Sequence, residues 1–292
     1  MELDSIESER SGRRTALADG FSLEMTGKDA GALADAAGLI PPGTRVNVTF
    51  LAGEDLATRV SAARAVRERG LRPVPHISAR RLRSESELAE YLAALAEAGA
   101  AEEICVVGGD LAEPAGPYAD ALAVIRSGAL ARSGVRHVSV AGYPEGHPHI
   151  DTPTLWRALE DKRAALHRQS LGATVITQFG FDPAPAVAWL DELRRRGVEA
   201  PVRIGVPGPA GVKRLLRYAR RFGVQSSAGI VQKYGFSLTN LLGTAGPGRF
   251  IKRLQEQIDP VRHGDVALHF YTFGGIRVTA EWVRDDESMV TR

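Results

Sequence analysis

Cysteine is almost absent from this chain. Its 292 residues contain one, Cys105, which excludes an internal disulfide framework and fits a reducing compartment, so a cytoplasmic setting is expected. Long apolar runs are missing as well: none approaches the roughly 18 residues of a membrane span. Met1–Arg10 is too acidic for a secretory signal and has no apolar stretch. Neither sign of charge dominates, with 37 Lys and Arg against 35 Asp and Glu, a net of +2. No global field therefore draws in a nucleic acid or an acidic membrane. Low-complexity tracts are lacking too, and the one repeat is an alternation of strand-like and helix-like stretches.

That alternation is the main content of the sequence. Apolar content of 44% supports one large core. Eight β-type runs are predicted: Phe21–Thr26, Arg45–Phe50, Leu71–Ser78, Glu102–Gly109, His137–Glu145, Thr174–Phe181, Val202–Gly208 and Val266–Phe273. Helical patterns lie between them, at Asp55–Arg69, Ser84–Ala98, Thr152–Leu171, Ala186–Arg196, Ala210–Phe222 and Pro247–Ile258. Ser84-Glu-Ser-Glu87 reads as a capping box, and Thr152-Pro153 as a helix start. Eight β-α units in a row predict an α/β fold, a single-domain (β/α)8 TIM barrel, over residues 19–284. The polar stretches 1–18 and 285–292 read as tails, or as arms that order in a homo-oligomer. The Gly-rich link from Gly223 to Pro247 reads as a folded-over loop.

In such a barrel the active site is built at the carboxyl ends of the strands, so the polar residues there are the candidates. Glu24 stands in an otherwise apolar first strand. A carboxylate is costly to bury alone, which leaves two uses: a partner for a lysine or arginine in the barrel floor, or a general acid. Its position near the top of the strand favours the acid. Asp110 follows two glycines that let backbone approach a ligand closely, although Gly-Gly-Asp equally suits a turn cap. Tyr143–His149 is the densest polar cluster. Its Glu145, His147 and His149 invite a metal reading, but zinc takes three or four protein ligands and only His76 complements them from another strand end. Hydrogen bonding to a polar ligand is the better use, and no metal is expected. Gln178 offers a donor and an acceptor together, which suits a lactam or amidine edge or a lumen amide satisfied by its neighbours. Gly205–Gly211 opens a helix where barrels often hold phosphate, without the dinucleotide spacing. Lys213, Arg214, Arg217, Arg220 and Arg221 read as that helix's solvated face. Cys105, inside Ile104–Val107, reads as a small buried hydrophobe.

Four segments together carry a resemblance: Ala141-Gly-Tyr-Pro-Glu-Gly-His-Pro148; Lys162-Arg163 followed by Gly172-Ala173; Ile176-Thr-Gln-Phe-Gly-Phe-Asp182; and Leu268-His-Phe-Tyr-Thr272. From about Phe21 to Phe273 the chain resembles the methylenetetrahydrofolate reductase family. That likeness implies a barrel that reduces 5,10-methylenetetrahydrofolate to 5-methyltetrahydrofolate, with electrons from NADH or NADPH, normally through bound FAD. Carried over by position, Glu24 matches the acid that opens the imidazolidine ring to the N5 iminium. Asp110 matches the catalytic aspartate that contacts the pterin. Gln178, with Phe179 beside it, matches the pterin-binding glutamine. Thr49, His76, Gly108, Gly109, Tyr143, Glu145, His147, Lys162 and Tyr271 fall at positions expected to line the nicotinamide or flavin site.

The departures from the family are equally specific. After Glu24 the usual aromatics and prolines are replaced by Met25-Thr-Gly-Lys28. The usual Arg-Gly-Asp is Gly108-Gly-Asp110, and Phe273-Gly274 follows Thr272 where Asn-Arg is common. Glu24, Asp110 and Gln178 are kept while flavin-facing positions differ. That pattern resembles the family's divergent branch that works without flavin, so FAD is expected to be absent or weakly bound. NADH is favoured over NADPH as the donor. The rival readings are a conventional FAD enzyme of the same activity, a metal-dependent barrel hydrolase built on Glu145, His147 and His149, and a non-catalytic folate- or flavin-binding protein.

Overall fold

The computed structural model describes residue 17 and residues 19–51, 53–221, 244–286 and 289. Eight strands form the barrel wall: β1 (Ser22–Thr26), β2 (Arg45–Thr49), β3 (Arg72–Ser78), β4 (Glu103–Val107), β5 (His137–Gly142), β6 (Gly172–Phe179), β7 (Val202–Pro207) and β10 (Val266–Tyr271). All are parallel, and they close in the order β1-β10-β7-β6-β5-β4-β3-β2. This is the predicted (β/α)8 barrel. Two short strands, β8 (Ala210–Gly211) and β9 (Thr244–Ala245), pair antiparallel outside it.

The helices are α1 (Ala30–Ala36), α2 (Leu56–Glu68), α3 (Glu85–Glu97), α4 (Ala121–Arg126), α5 (Ala129–Arg132), α6 (Thr152–Arg168), α7 (Pro183–Arg195), α8 (Val212–Arg221), α9 (Gly248–Gln255), α10 (Pro260–His263) and α11 (Ile276–Asp285). Their starts are written in the sequence. Asp55, Ser84, Asp120, Asp151, Asp182 and Asp259 each accept a backbone N–H of the first turn, a cap commonly worth about 1 kcal/mol. The predicted capping box at Ser84 is only half formed. Ser84 accepts from the Glu87 N–H at 3.1 Å, but the Glu87 carboxylate turns outward to the Arg83 N–H and guanidinium.

Alternation divides each strand between two environments. Leu23, Val46, Ile77, Ile104, Val138, Ile204 and Leu268 are sealed against the helices, while the other parity turns into the lumen. There a small apolar patch, Val74, Cys105 and Ile176, separates floor from mouth. The floor is ionic: Arg45 donates to Glu103 at 2.6 Å, with Arg72 3.8 Å from the same carboxylate. The strands stop one to three residues short of most predicted carboxyl ends, because polar residues there leave the ladder to form the mouth. The predicted helix at Ala210 begins instead at Val212, since Ala210 and Gly211 pair with β9. Most of both expected tails, and most of the link after Gly223, fall outside the described residues. Among the described residues no helix is long and apolar enough to cross a membrane.

Candidate active site

The inner wall of the mouth is built around Glu24 from β1. Its Oε2 lies 3.6 Å from Nε2 of His269 on β10, and its side chain is 22% exposed while that of His269 is 1% exposed. The other ring nitrogen of His269 is 2.8 Å from Ser22 Oγ, two residues before Glu24 on the same strand face. Thr272 closes the seam by donating to the Glu24 carbonyl at 2.6 Å. Glu24 was expected either to pair with a lysine or arginine in the barrel floor or to act as a general acid. Arg45 and Arg72 of the floor lie on Glu103 instead, and the neighbour of Glu24 is an imidazole.

The rest of the wall is crowded and partly desolvated. His76, on β3, faces Asn47 Oδ1 at 3.2 Å. Burial pushes it down to about 4, against the opposing pull of Glu24, so it is neutral near pH 7. Tyr271 donates its hydroxyl to the Thr177 carbonyl at 3.0 Å and packs edge-on to His269. Burial, with Glu24, Cys105 and Tyr143 adding to it, raises the phenol well above its ordinary range. Gly205 makes room for that ring: a Cβ there would collide with the Thr177 carbonyl oxygen and lie 2.8 Å from Tyr271. Burial pushes the Cys105 thiol up to about 12, which leaves it protonated. Tyr143 is raised by burial, and Lys162 is lowered by burial against the pull of Asp120 and Cys105. Glu24, His76, Tyr143, Lys162 and Tyr271 are thus within electrostatic reach of one another or of Cys105 between them. Thr49 is the last residue of β2 and is half-buried.

The remaining candidates lie on the rim. Asp110 is 66% exposed and pairs with Arg81 at 2.8 Å. Gly109 before it has φ +97°, in the left-handed region that favours glycine. Gly108 is half-buried, and a Cβ there would meet nothing within 4 Å. A register shift between Ile176 and Phe179 sets Phe179, not Gln178, opposite Gly205 of β7. Phe179 packs on Tyr271 and Phe273. Gln178 accepts from the Phe179 N–H at 3.0 Å and lines a side pocket with Glu145, Gly180 and Phe250. Glu145 and His147 diverge. A Cβ on Gly180 would lie 2.9 Å from Glu145 Oε1, whereas His147 packs edge-on to Tyr143 and accepts from the His149 N–H. Among the described residues no group of three or more His, Cys, Asp and Glu could hold a metal ion.

Sequence reasoning missed His269, Ser22, Asn47 and Arg81. The first two were reachable: counting back two from Glu24 gives Ser22, and counting back two from Tyr271 gives His269, by strand parity. Arg81 was not, because only the folded loop brings it to Asp110.

A closed parallel barrel with carboxylate, imidazole and phenol groups gathered at its C-terminal mouth is the architecture of a (β/α)8-barrel enzyme. Residues 31–281 match the family model described as methylenetetrahydrofolate reductase. The chain belongs to that family, an oxidoreductase family of folate one-carbon metabolism whose members usually use FAD and a pyridine nucleotide. Among solved structures it is similar to dihydropteroate synthase from Thermus thermophilus, at 17% identity over 90% of this chain and 92% of that chain, with a TM-score of 0.48. The same enzyme in complex with 6HMPPP matches equally, over 91% of its chain. At that level the likeness carries no functional argument.

Proposed function

We propose that this chain reduces 5,10-methylenetetrahydrofolate to 5-methyltetrahydrofolate by direct hydride transfer from NADH or NADPH, without a flavin relay. The observation that carries this reading is the Glu24–His269–Ser22 arrangement: one carboxylate at the top of β1, held beside a buried imidazole. The folate's five-membered ring has to open before it can accept a hydride. Glu24 delivers a proton to N10 as the bond from N10 to the bridging carbon breaks, leaving the N5 methylene iminium. His269, fixed by Ser22, keeps the carboxyl oriented. The iminium then accepts hydride from the dihydronicotinamide, giving the methyl group and the oxidised nucleotide. His76 stays neutral and Tyr271 stays protonated, so neither adds charge next to the cation. Asp110 and Gln178 receive the polar edge of the pterin.

FAD supplies a two-step hydride relay where it is bound. The residues here do not fit it in the family's manner. Gly108 presents no side chain where the resemblance expects arginine, and Arg81, the guanidinium seen on Asp110, is already paired with it. No step is therefore routed through FAD. Holding both reactants at near-attack distance takes the place of the relay. Purified protein without flavin absorbance, and intersecting initial-rate plots for nucleotide and folate, are the expected results. Parallel lines with tightly retained FAD would restore the conventional mechanism.

A further inference from the structure

Two consecutive arginines, Arg80 and Arg81, leave the end of β3 in a 3₁₀ turn, Ala79–Arg81, and take hold of the loop after β4. Arg80 grips its backbone. The guanidinium donates to the carbonyls of Leu111, Ala112 and Ala119 at 2.8–2.9 Å, while the main chain of Arg80 bonds Gly108 and Ala115. Arg81 grips the carboxylate of Asp110. Its Nε donates to Asp110 Oδ1 at 2.8 Å, and its guanidinium lies 5.1 Å from the centroid of the Phe50 ring at the end of β2. Phe50 is itself fixed by Arg59, which is held between Phe50 and Tyr91 at 4.7 and 4.6 Å. Arg81 is 20% exposed, Asp110 66%. The anchored partner is thus the arginine, and the exposed one is the carboxylate it presents.

An exposed ion pair contributes little to stability, so folding alone gives little reason for this arrangement. A planar guanidinium on an aromatic ring loses less freedom per bond than a lysine would and fixes the direction of what it holds. We infer that Arg81 is a positioning residue: seated on Phe50, it fixes the Asp110 carboxylate at the barrel rim so that it can receive the donor edge of a pterin ring. This rests on the reading of Asp110 as a substrate-facing group.

The test is equilibrium binding of two probes, 5-methyltetrahydrofolate and a tetrahydropterin lacking the aminobenzoyl-glutamate tail, to wild type, Asp110→Asn, Arg81→Gln and Arg81→Lys, with kcat and KM alongside. Arg81→Gln is expected to weaken both probes about two- to fivefold, with kcat nearly unchanged. Arg81→Lys recovers part of the loss, and the Arg81→Gln/Asp110→Asn double variant is no weaker than Asp110→Asn. Binding unaffected by Asp110→Asn would sink both this inference and the Asp110 reading beneath it. If Asp110→Asn weakens binding and Arg81→Gln does not, the clamp alone is overturned. A loss in Arg81→Gln confined to the tailed probe would make Arg81 a receptor for the folate carboxylates instead, and also overturns it.

Discussion

The inner wall of this mouth and its rim hold their polar groups by different means. On the wall, Glu24, Ser22, His76, Asn47, His269 and Tyr271 all sit on strands, and their directions follow from the ladder. Their contacts run between neighbouring strands, as in Ser22 to His269 and His76 to Asn47. Burial there shifts titration far enough to fix protonation states, with His76 neutral and the Cys105 thiol and Tyr271 phenol uncharged. On the rim, Asp110, Gln178, Glu145 and His147 sit on loops or at a bulge. Asp110 takes its direction from Arg81, 29 positions away, while Gln178 and His147 bond their near neighbours Phe179 and His149. The wall is suited to chemistry, where a charge has to be in one place and one state. The rim is suited to recognition, where a group can be adjusted without disturbing the barrel.

Variants should separate the two regions, with the wall affecting turnover and the rim affecting binding. The largest effect is expected from Glu24→Gln, a loss of about 10²–10⁴ in kcat with folate affinity close to wild type. Activity within a few-fold of wild type would remove Glu24 from the chemistry. His269→Asn should follow, with kcat down about ten- to a hundredfold and an altered pH profile, because the carboxyl loses its orienting neighbour. An unchanged profile would make His269 a packing residue.

Gln178→Ala should act on the folate KM and not on kcat, by about 1–3 kcal/mol. The low end is expected, since Gln178 opens on the side pocket. Movement of the nucleotide KM alone would assign Gln178 to the donor. The last expected effect concerns stability and leaves turnover aside. His76 titrates near its ordinary 6.5 when unfolded and at about 4 when folded, so between those values only the unfolded chain binds the proton. Its contribution is therefore full above pH 6.5 and is lost as pH falls toward 4, by up to about 1.4 kcal/mol per pH unit. Denaturant titrations of wild type and His76→Gln over that window should show the slope flattened in the variant. An identical slope would contradict the assignment.

This contrast also explains what was legible in the sequence. The barrel was readable because strand-like and helix-like patterns alternate along the chain and six of the described helices open on a capping Asp or Ser, signals local to a few residues. Glu24 was readable for the same reason, as a carboxylate breaking an apolar run. Its partner was harder, because β1 and β10 meet only when the barrel closes, with Ser22 and His269 lying 247 positions apart. Which of Gln178 and Phe179 lies opposite Gly205 was not readable. A register shift in β6 sets Phe179 there, and a one-residue slip sends a side chain to the other face. The direction of Asp110 likewise depends on Arg81, which nothing nearby in the sequence announces.

The central claim, that hydride passes directly from nucleotide to folate, is tested most directly with NADH deuterated at the transferable C4 position. The label is followed into the methyl group of the product under anaerobic conditions. A direct transfer predicts that every methyl group formed carries one deuterium from the nucleotide, whatever the solvent. Loss of the label to solvent hydrogen, as expected of an intermediate carrier whose hydrogen exchanges, would contradict the account.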